Sequence, residues 1–177
     1  MAGYKEIEEQ INNDVFFISD KTCNLFNSKE KIILDTSVII KWFFEEDEKD
    51  VKNANLILNK YYNSEIRIIA PEIALFEISN VIKNRIKNLE DKNMGAEIID
   101  KIFNLGIIFY VTKEILKNAF NIAIDINESV YDCIFIAVAE HFKSKFITDD
   151  KKLLLNYSNY KTTAENKIQI ILLENYF

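Results

Sequence analysis

From Lys31 to the end of the chain, short β-branched runs alternate with longer segments whose apolar residues recur at helical spacing. The runs KIILD (31–35), IRIIA (66–70), GIIFYV (106–111), KFIT (145–148) and KIQIILL (167–173) predict five strands. Between the first two lie the short apolar stretch SVIIKWFF and a helical pattern, VKNANLILNKYYN. A helix follows the second strand, with Pro71 at its first position, where a missing N–H costs nothing. NMGAEIIDKIFN is a further helix, and TKEILKNAFNIAI is one opened by a Thr112 cap. YDCIFIAVAEHF is apolar nearly all round, which predicts a buried helix. Strands interleaved with helices predict an α/β domain with a mostly parallel sheet. Residues 1–30 break this rhythm: a polar helical pattern from Tyr4 to Gln10 leads into DVFFIS and then KTCNLFNSKEK. They read as an N-terminal extension packed on, or pairing with, a main domain at 31–177.

Composition narrows the picture. A chain of 177 residues with 49% hydrophobic and 28% charged residues is long enough for one domain with a sizeable core. Three glycines and one proline exclude collagen-like, proline-rich and Gly/Ser-linker readings. The formal net charge of −6 gives no support to nonspecific binding of a nucleic-acid backbone. A polyanionic substrate would need a local basic patch or metal ions. Cys23 and Cys133 are too far apart and too few for a disulfide scaffold, and Cys133, inside an apolar run, reads as a core residue. The N-terminus lacks the layout of a signal peptide and no apolar run approaches a membrane span, so the expected setting is a reducing cytoplasm without membrane association.

The candidate chemistry is carboxylate chemistry. In open parallel α/β sheets, ligands bind beyond the carboxyl ends of the strands. Asp35 ends the first strand, followed by Thr36 and Ser37; Asp149 and Asp150 follow Thr148 at the end of KFIT. Either site alone reads as a helix N-cap. In the helix after Pro71, Leu75, Ile78, Ile82, Ile86 and Leu89 form one apolar face at offsets 0, 3, 7, 11 and 14. Glu77 lies opposite them, yet between Ile73 and Val81 and one turn below Asn80, which suggests a partly buried polar pair. Asp132 stands in the first turn of a helix with no other acid until Glu140, and Ser129 already supplies a cap there. Asp125 and Glu128 read as solvated loop residues.

If Asp35, Glu77, Asp132 and Asp150 converge, their mutual repulsion requires either protonation or a hard cation, and Mg²⁺ or Mn²⁺ with oxygen ligands resolves it. The only histidine, His141, reads as a packing or rim residue, so neither zinc nor a histidine-based triad is indicated. No glycine-rich phosphate loop occurs. Of the remaining uses of an all-carboxylate cleft, an aspartyl-phosphate mechanism of the dehalogenase type would want a second acid where Ser37 stands. A receiver domain would want an acid ending GIIFYV. Metal-assisted hydrolysis of phosphodiesters fits best.

The stretches ILDTSVIIKWFFEEDE, APEIALFEISNVI, SVYDCIFIAVAEHF and FITDDKKL, in this order, resemble a PIN domain, specifically the small VapC-type ribonucleases of toxin–antitoxin systems. The resemblance runs from about Ile32 to Leu153 and, by topology, to the last strand near Leu173. It implies a three-layer α/β/α sandwich around a sheet of about five strands, and Mg²⁺- or Mn²⁺-dependent cleavage of single-stranded RNA. Matched position by position, Asp35 and Asp132 would hold metal, with Glu77 and Asp150 completing the cluster. Thr36, Thr148 and Asn80 would orient carboxylates or water. Lys83, Arg85 and Lys87, on the helix that carries Glu77, are candidate phosphate contacts, equally readable as a solvated face; Lys41 and Lys151 also follow site positions closely. Trp42 and Phe43 read as core or dimer interface. The family further implies a homodimer and an antitoxin partner. Two features depart from its pattern: the long segment before the first strand, and Asp149 where a small residue is usual. The alternatives are a PIN-like scaffold that binds metal or a partner without turnover, and an RNA-processing or DNA nuclease unrelated to toxins.

Overall fold

The computed structural model describes residues 29–44, 49–85, 89–160 and 167–177. The side chains of 89–92 are outside that description, as are Lys87, Cys23 and nearly all of the extension foreseen at 1–30. Five strands form one sheet: β1 (Glu30–Leu34), β2 (Ile66–Pro71), β3 (Ile108–Phe109), β4 (Lys145–Thr148) and β5 (Ile170–Leu172). Their spatial order is β3-β2-β1-β4-β5 and every pairing is parallel. The central register aligns Ile33 with Ile69 on one side and Phe146 on the other.

Seven helices are found among the described residues: α1 (Thr36–Ile39), α2 (Val51–Tyr62), α3 (Ile73–Arg85), α4 (Leu89–Asn104), α5 (Lys113–Ile126), α6 (Val130–Phe142) and α7 (Lys151–Ser158). The chain steps outward from β1 to β2 and β3, then returns across the sheet to β4 and β5. Right-handed crossovers therefore place α1–α4 on one face and α5–α7 on the other, which makes the α/β/α sandwich. The reversal of direction falls between β1 and β4, the crevice where such sheets bind ligands.

Burial explains the strands. Ile32, Ile33 and Leu34 of β1 and Phe146 and Ile147 of β4 have no exposed surface, as expected of parallel strands covered on both faces. Helix α6 is buried continuously from Cys133 to Ala139, and Phe135 stacks on Phe146 at 5.7 Å. The Cys133 thiol is pushed up to about 12 by burial, with the Asp132 and Glu128 charges adding to it, so it is an inert core group. His141 lies at the rim, exposed, against Phe109 and Phe142. Trp42 and Phe43 pack half-buried on the core.

Several boundaries differ from the sequence reading. Pro71 ends β2 instead of opening a helix. Ala70 and Glu72 donate to Ile107 and Phe109 of the β3 side, while β1 has already turned away at Asp35, so the missing N–H of Pro71 loses no ladder bond. The apolar pattern drawn through Ile86 and Leu89 crosses residues 86–88, outside the described residues; α3 is described to Arg85, and α4 from Leu89, four residues before Asn93. GIIFYV contributes only the two-residue β3. Glu128 is no solvated residue: it receives hydrogen bonds from Lys152 and Asn156, tying α7 to the loop before α6, and the Lys152 ammonium holds its carboxyl below the usual range.

Candidate active site

Asp35 occupies the residue between β1 and α1. Its backbone N–H still donates to the Ile147 carbonyl at 3.0 Å, so the β1–β4 ladder fixes it beyond the strand end. Its carboxylate accepts from two hydroxyls at the same oxygen: Ser37 Oγ to Oδ2 at 2.7 Å and Thr148 Oγ1 to Oδ2 at 2.6 Å. Glu77 comes from α3 and accepts from Thr36 Oγ1 at 2.5 Å. Asp132, in the first turn of α6, accepts from Ser129 Oγ at 2.7 Å, while Ser129 Oγ caps the helix by receiving the Asp132 N–H.

These three acids share one electrostatic environment. Burial pushes Asp35 above the ordinary carboxylate range; the Thr148 and Ser37 hydrogen bonds oppose the shift and the Asp132 charge adds to it. Burial likewise raises Glu77, opposed by Thr36 and reinforced by the charges of Asp35 and Asp132. No lysine or arginine forms an ion pair with any of the three among the described residues. The cluster is held by hydroxyls and left with surplus negative charge.

Asp150 joins differently. Its side chain caps α7 by accepting the Leu153 N–H at 2.9 Å, and its own N–H donates to Thr148 Oγ1 at 3.0 Å. Thr148 thus links Asp150 to Asp35, with Asp150 exposed at the edge of the cluster. Asn80 is exposed, not the half-buried partner of Glu77 that its spacing suggests: Ile78 and Ile82 take the buried face of that turn of α3. Lys83 is exposed and donates to Asn84, and the Arg85 guanidinium lies 4.5 Å from the centre of the Phe44 ring. Lys151 pairs with Glu174 at 2.9 Å. Lys41 is buried, its Nζ 2.9 Å from Asp149 Oδ2, so it is a structural cation and Asp149 is its counter-ion.

Ser37 is the member that sequence reasoning missed as a ligand of Asp35. It also receives the Asp149 N–H at 3.2 Å, so one hydroxyl ties both strand ends together. A hydroxyl two residues after a strand-end acid was the signal. Phe76, beside Glu77, was also missed; it is 69% exposed, unusual for a large aromatic ring.

The donor set suits a hard divalent cation: Asp35 beyond the end of β1, Glu77 on α3 and Asp132 in the first turn of α6, with no lysine or arginine ion-paired to them among the described residues. Among the described residues no three His, Cys, Asp or Glu side chains stand close enough to enclose a metal ion together. Mg²⁺ does not demand that, since it is commonly held by one or two carboxylates and keeps several waters.

A raised carboxyl pKa has a stability consequence. The folded state holds the Asp35 proton above pH 3.8, where the unfolded chain releases it, so the folded form binds more protons and stability falls as pH rises through the folded pKa. Replacing Asp35 by Asn removes the ionisation. In EDTA the Asp35→Asn protein is expected to melt above wild type at pH 8, with the difference shrinking at pH 4. Thermal melts at both pH values check it.

Parallel sheet order, a crevice at the chain reversal and acids at its rim define an open α/β domain with a ligand-accessible switch point. The PIN domain family model matches residues 32–157, and the chain belongs to that family. Solved structures with the same fold include FitAcB from Neisseria gonorrhoeae (TM-score 0.59, 16% identity, covering 81% of this chain and 98% of that one). VapBC2 from Rickettsia felis bound to a DNA fragment from its promoter gives TM-score 0.57 and 12% identity, with 80% and 98% covered. VapBC-1 from nontypeable Haemophilus influenzae gives 0.55 and 15%, with 82% and 99% covered. No protein of curated function matches the sequence. Among the described residues, no helix is long and apolar enough to cross a membrane.

Proposed function

We propose that this PIN domain is an endoribonuclease that hydrolyses single-stranded RNA with Mg²⁺ or Mn²⁺, acting as the toxin of a toxin–antitoxin pair. The observation that carries the reading is the trio Asp35, Glu77 and Asp132 at the β1–β4 crevice, served by hydroxyls and, among the described residues, ion-paired with no lysine or arginine. Asp35 and Asp132 would hold the metal, with Glu77 and Asp150 beside them. A bound cation supplies charge neutralisation at phosphorus and lowers the pKa of water. Thr148 and Ser37 orient the Asp35 carboxylate, and Thr36 orients that of Glu77. Glu77, its pKa raised, is placed to accept a proton from the attacking water. In-line attack forms the new P–O bond as the 3′-oxygen leaves and is protonated, giving a 5′-phosphate and a 3′-hydroxyl.

The exposed helix face around Lys83 gives phosphate a cationic contact despite the net charge of −6, and the Phe76 ring offers a base-stacking face. Lys87 continues the basic run in sequence. The test incubates the full chain with end-labelled single-stranded RNA, and with the matching DNA strand, in Mn²⁺ or EDTA. Cleavage of RNA only, abolished by EDTA and leaving 5′-phosphates, is expected. EDTA-resistant cleavage overturns the metal reading.

The antitoxin partner is proposed on the likeness to the FitAcB and VapBC structures, VapBC being a family of toxin–antitoxin systems. Homodimerisation is proposed on α5, where Leu116, Phe120 and Ile124 fall at four-residue intervals and are all about half exposed or more. Asp at Phe120 is expected to convert a dimer into a monomer, as read by light scattering.

A further inference from the structure

At the amino ends of β1 and β2, away from the carboxylates, lies an open groove of about 590 Å³. This is within the roughly 300–1,000 Å³ range of ligand clefts. Its floor is aromatic, with Trp42, Tyr61 and Tyr62, and its rim is basic, with Lys29, Arg67 and Lys101; none of the described lining residues is acidic. Two of the aromatic groups are anchored: Trp42 Nε1 donates to the Ala54 carbonyl at 2.9 Å and Tyr61 Oη to the Leu105 carbonyl. Tyr62 is 64% exposed. A basic, aromatic groove in an acidic protein selects an occupant with both negative charge and apolar side chains.

The chain carries such a segment. From Glu6 to Asp20 it has five acids (Glu6, Glu8, Glu9, Asp14 and Asp20), no lysine or arginine, and the apolar run Val15-Phe16-Phe17-Ile18. Residues 21–28 connect it to Lys29, which itself lines the groove. Eight extended residues reach roughly 27 Å, so the connection spans the groove with slack. A short tether of this kind gives an effective concentration of about millimolar, so even weak complementarity is satisfied within one molecule.

We propose that residues 6–20 occupy this groove in their own chain, with Phe16 and Phe17 against the aromatic floor and the acids facing Lys29, Arg67 and Lys101. The site is separate from the carboxylate crevice, and the proposal does not depend on what that crevice does.

Trp42 is the only tryptophan and lies on the groove floor, so its fluorescence reports occupancy. The experiment compares full-length wild type with two full-length variants, Phe16→Asp/Phe17→Asp and Arg67→Glu/Lys101→Glu. Far-UV circular dichroism first confirms that each is folded; a variant that is not is replaced by Phe16→Ser/Phe17→Ser or Arg67→Gln/Lys101→Gln. In both, the acrylamide quenching constant of Trp42 is expected to rise at least about two-fold with a red-shifted emission, independently of protein concentration. Hydrogen exchange of the amides at 15–18 in wild type is expected to be slow, and to become fast in the groove variant. Quenching that is unchanged in both variants overturns the proposal. So does quenching in wild type that falls with rising concentration, which assigns the groove to a second copy's segment.

Discussion

Replacing Asp35 by Asn is expected to lower cleavage of single-stranded RNA in Mn²⁺ by on the order of 10³-fold or more, with an unchanged far-UV spectrum. The amide keeps the shape of the side chain and an oxygen that can accept from Ser37 and Thr148, so the strand end is not disturbed. What is lost is one charge of a cluster that forms no ion pair with a lysine or arginine among the described residues, and with it the affinity expected for a hard cation. Replacing Thr148 by Val should have a smaller effect, about 10–100-fold, because it removes the hydroxyl that orients the carboxylate and leaves the charge. Initial rates over a Mn²⁺ titration separate the two: saturation shifts to higher metal in both, and only the Thr148 protein recovers at high metal. Equal cleavage by wild type and the Asp35→Asn protein would identify a contaminating nuclease and remove the assigned site.

The largest stability effect is expected at Asp149. Its Lys41 partner is only 4% exposed, whereas Asp149 is 30% exposed. Breaking a fully buried pair costs about 3–5 kcal/mol. Here the cost of Asp149→Asn should be about 2–3 kcal/mol, because Lys41 keeps other interactions. At this chain length that lowers Tm by roughly 5–10 °C. Lys41→Met should cost less, since methionine fills the apolar space and the remaining carboxylate reaches water. Calorimetry of both variants reads the asymmetry directly; an Asp149→Asn protein as stable as wild type would mean that the ion pair contributes nothing.

The sequence reading went furthest where periodicity and chemistry coincide. The all-apolar pattern of residues 131–142 marked α6 as a buried helix, and the β-branched runs located all five strands within a few residues. Asp35, Glu77 and Asp132 were legible because acids interrupt apolar patterns there. Ladder geometry was not legible: nothing local says that Pro71 lies opposite Phe109 of β3, beyond the end of β1, which is why Pro71 reads as the start of a helix. Asp149 could not be placed from sequence, because its role exists only through Lys41, more than a hundred residues earlier and on another element. The half-buried pairing of Asn80 with Glu77 was not legible either, because which side of α3 meets the sheet is decided by packing; Asn80 is exposed. The assigned roles of the acids stand as the proposal above and rest on the assays.

The order in which the crevice is assembled has a cost for any shortened polypeptide. Asp35 and Glu77 belong to the first half of the chain, whereas Asp132 and Thr148 arrive from the returning half, after the path has crossed the whole sheet. A nascent chain on the ribosome therefore holds only half of its acids until α6 and β4 have emerged and docked. On the proposed assignment, an elongating chain is spared the activity until then, and truncation products ending before Asp132 are expected to be inert.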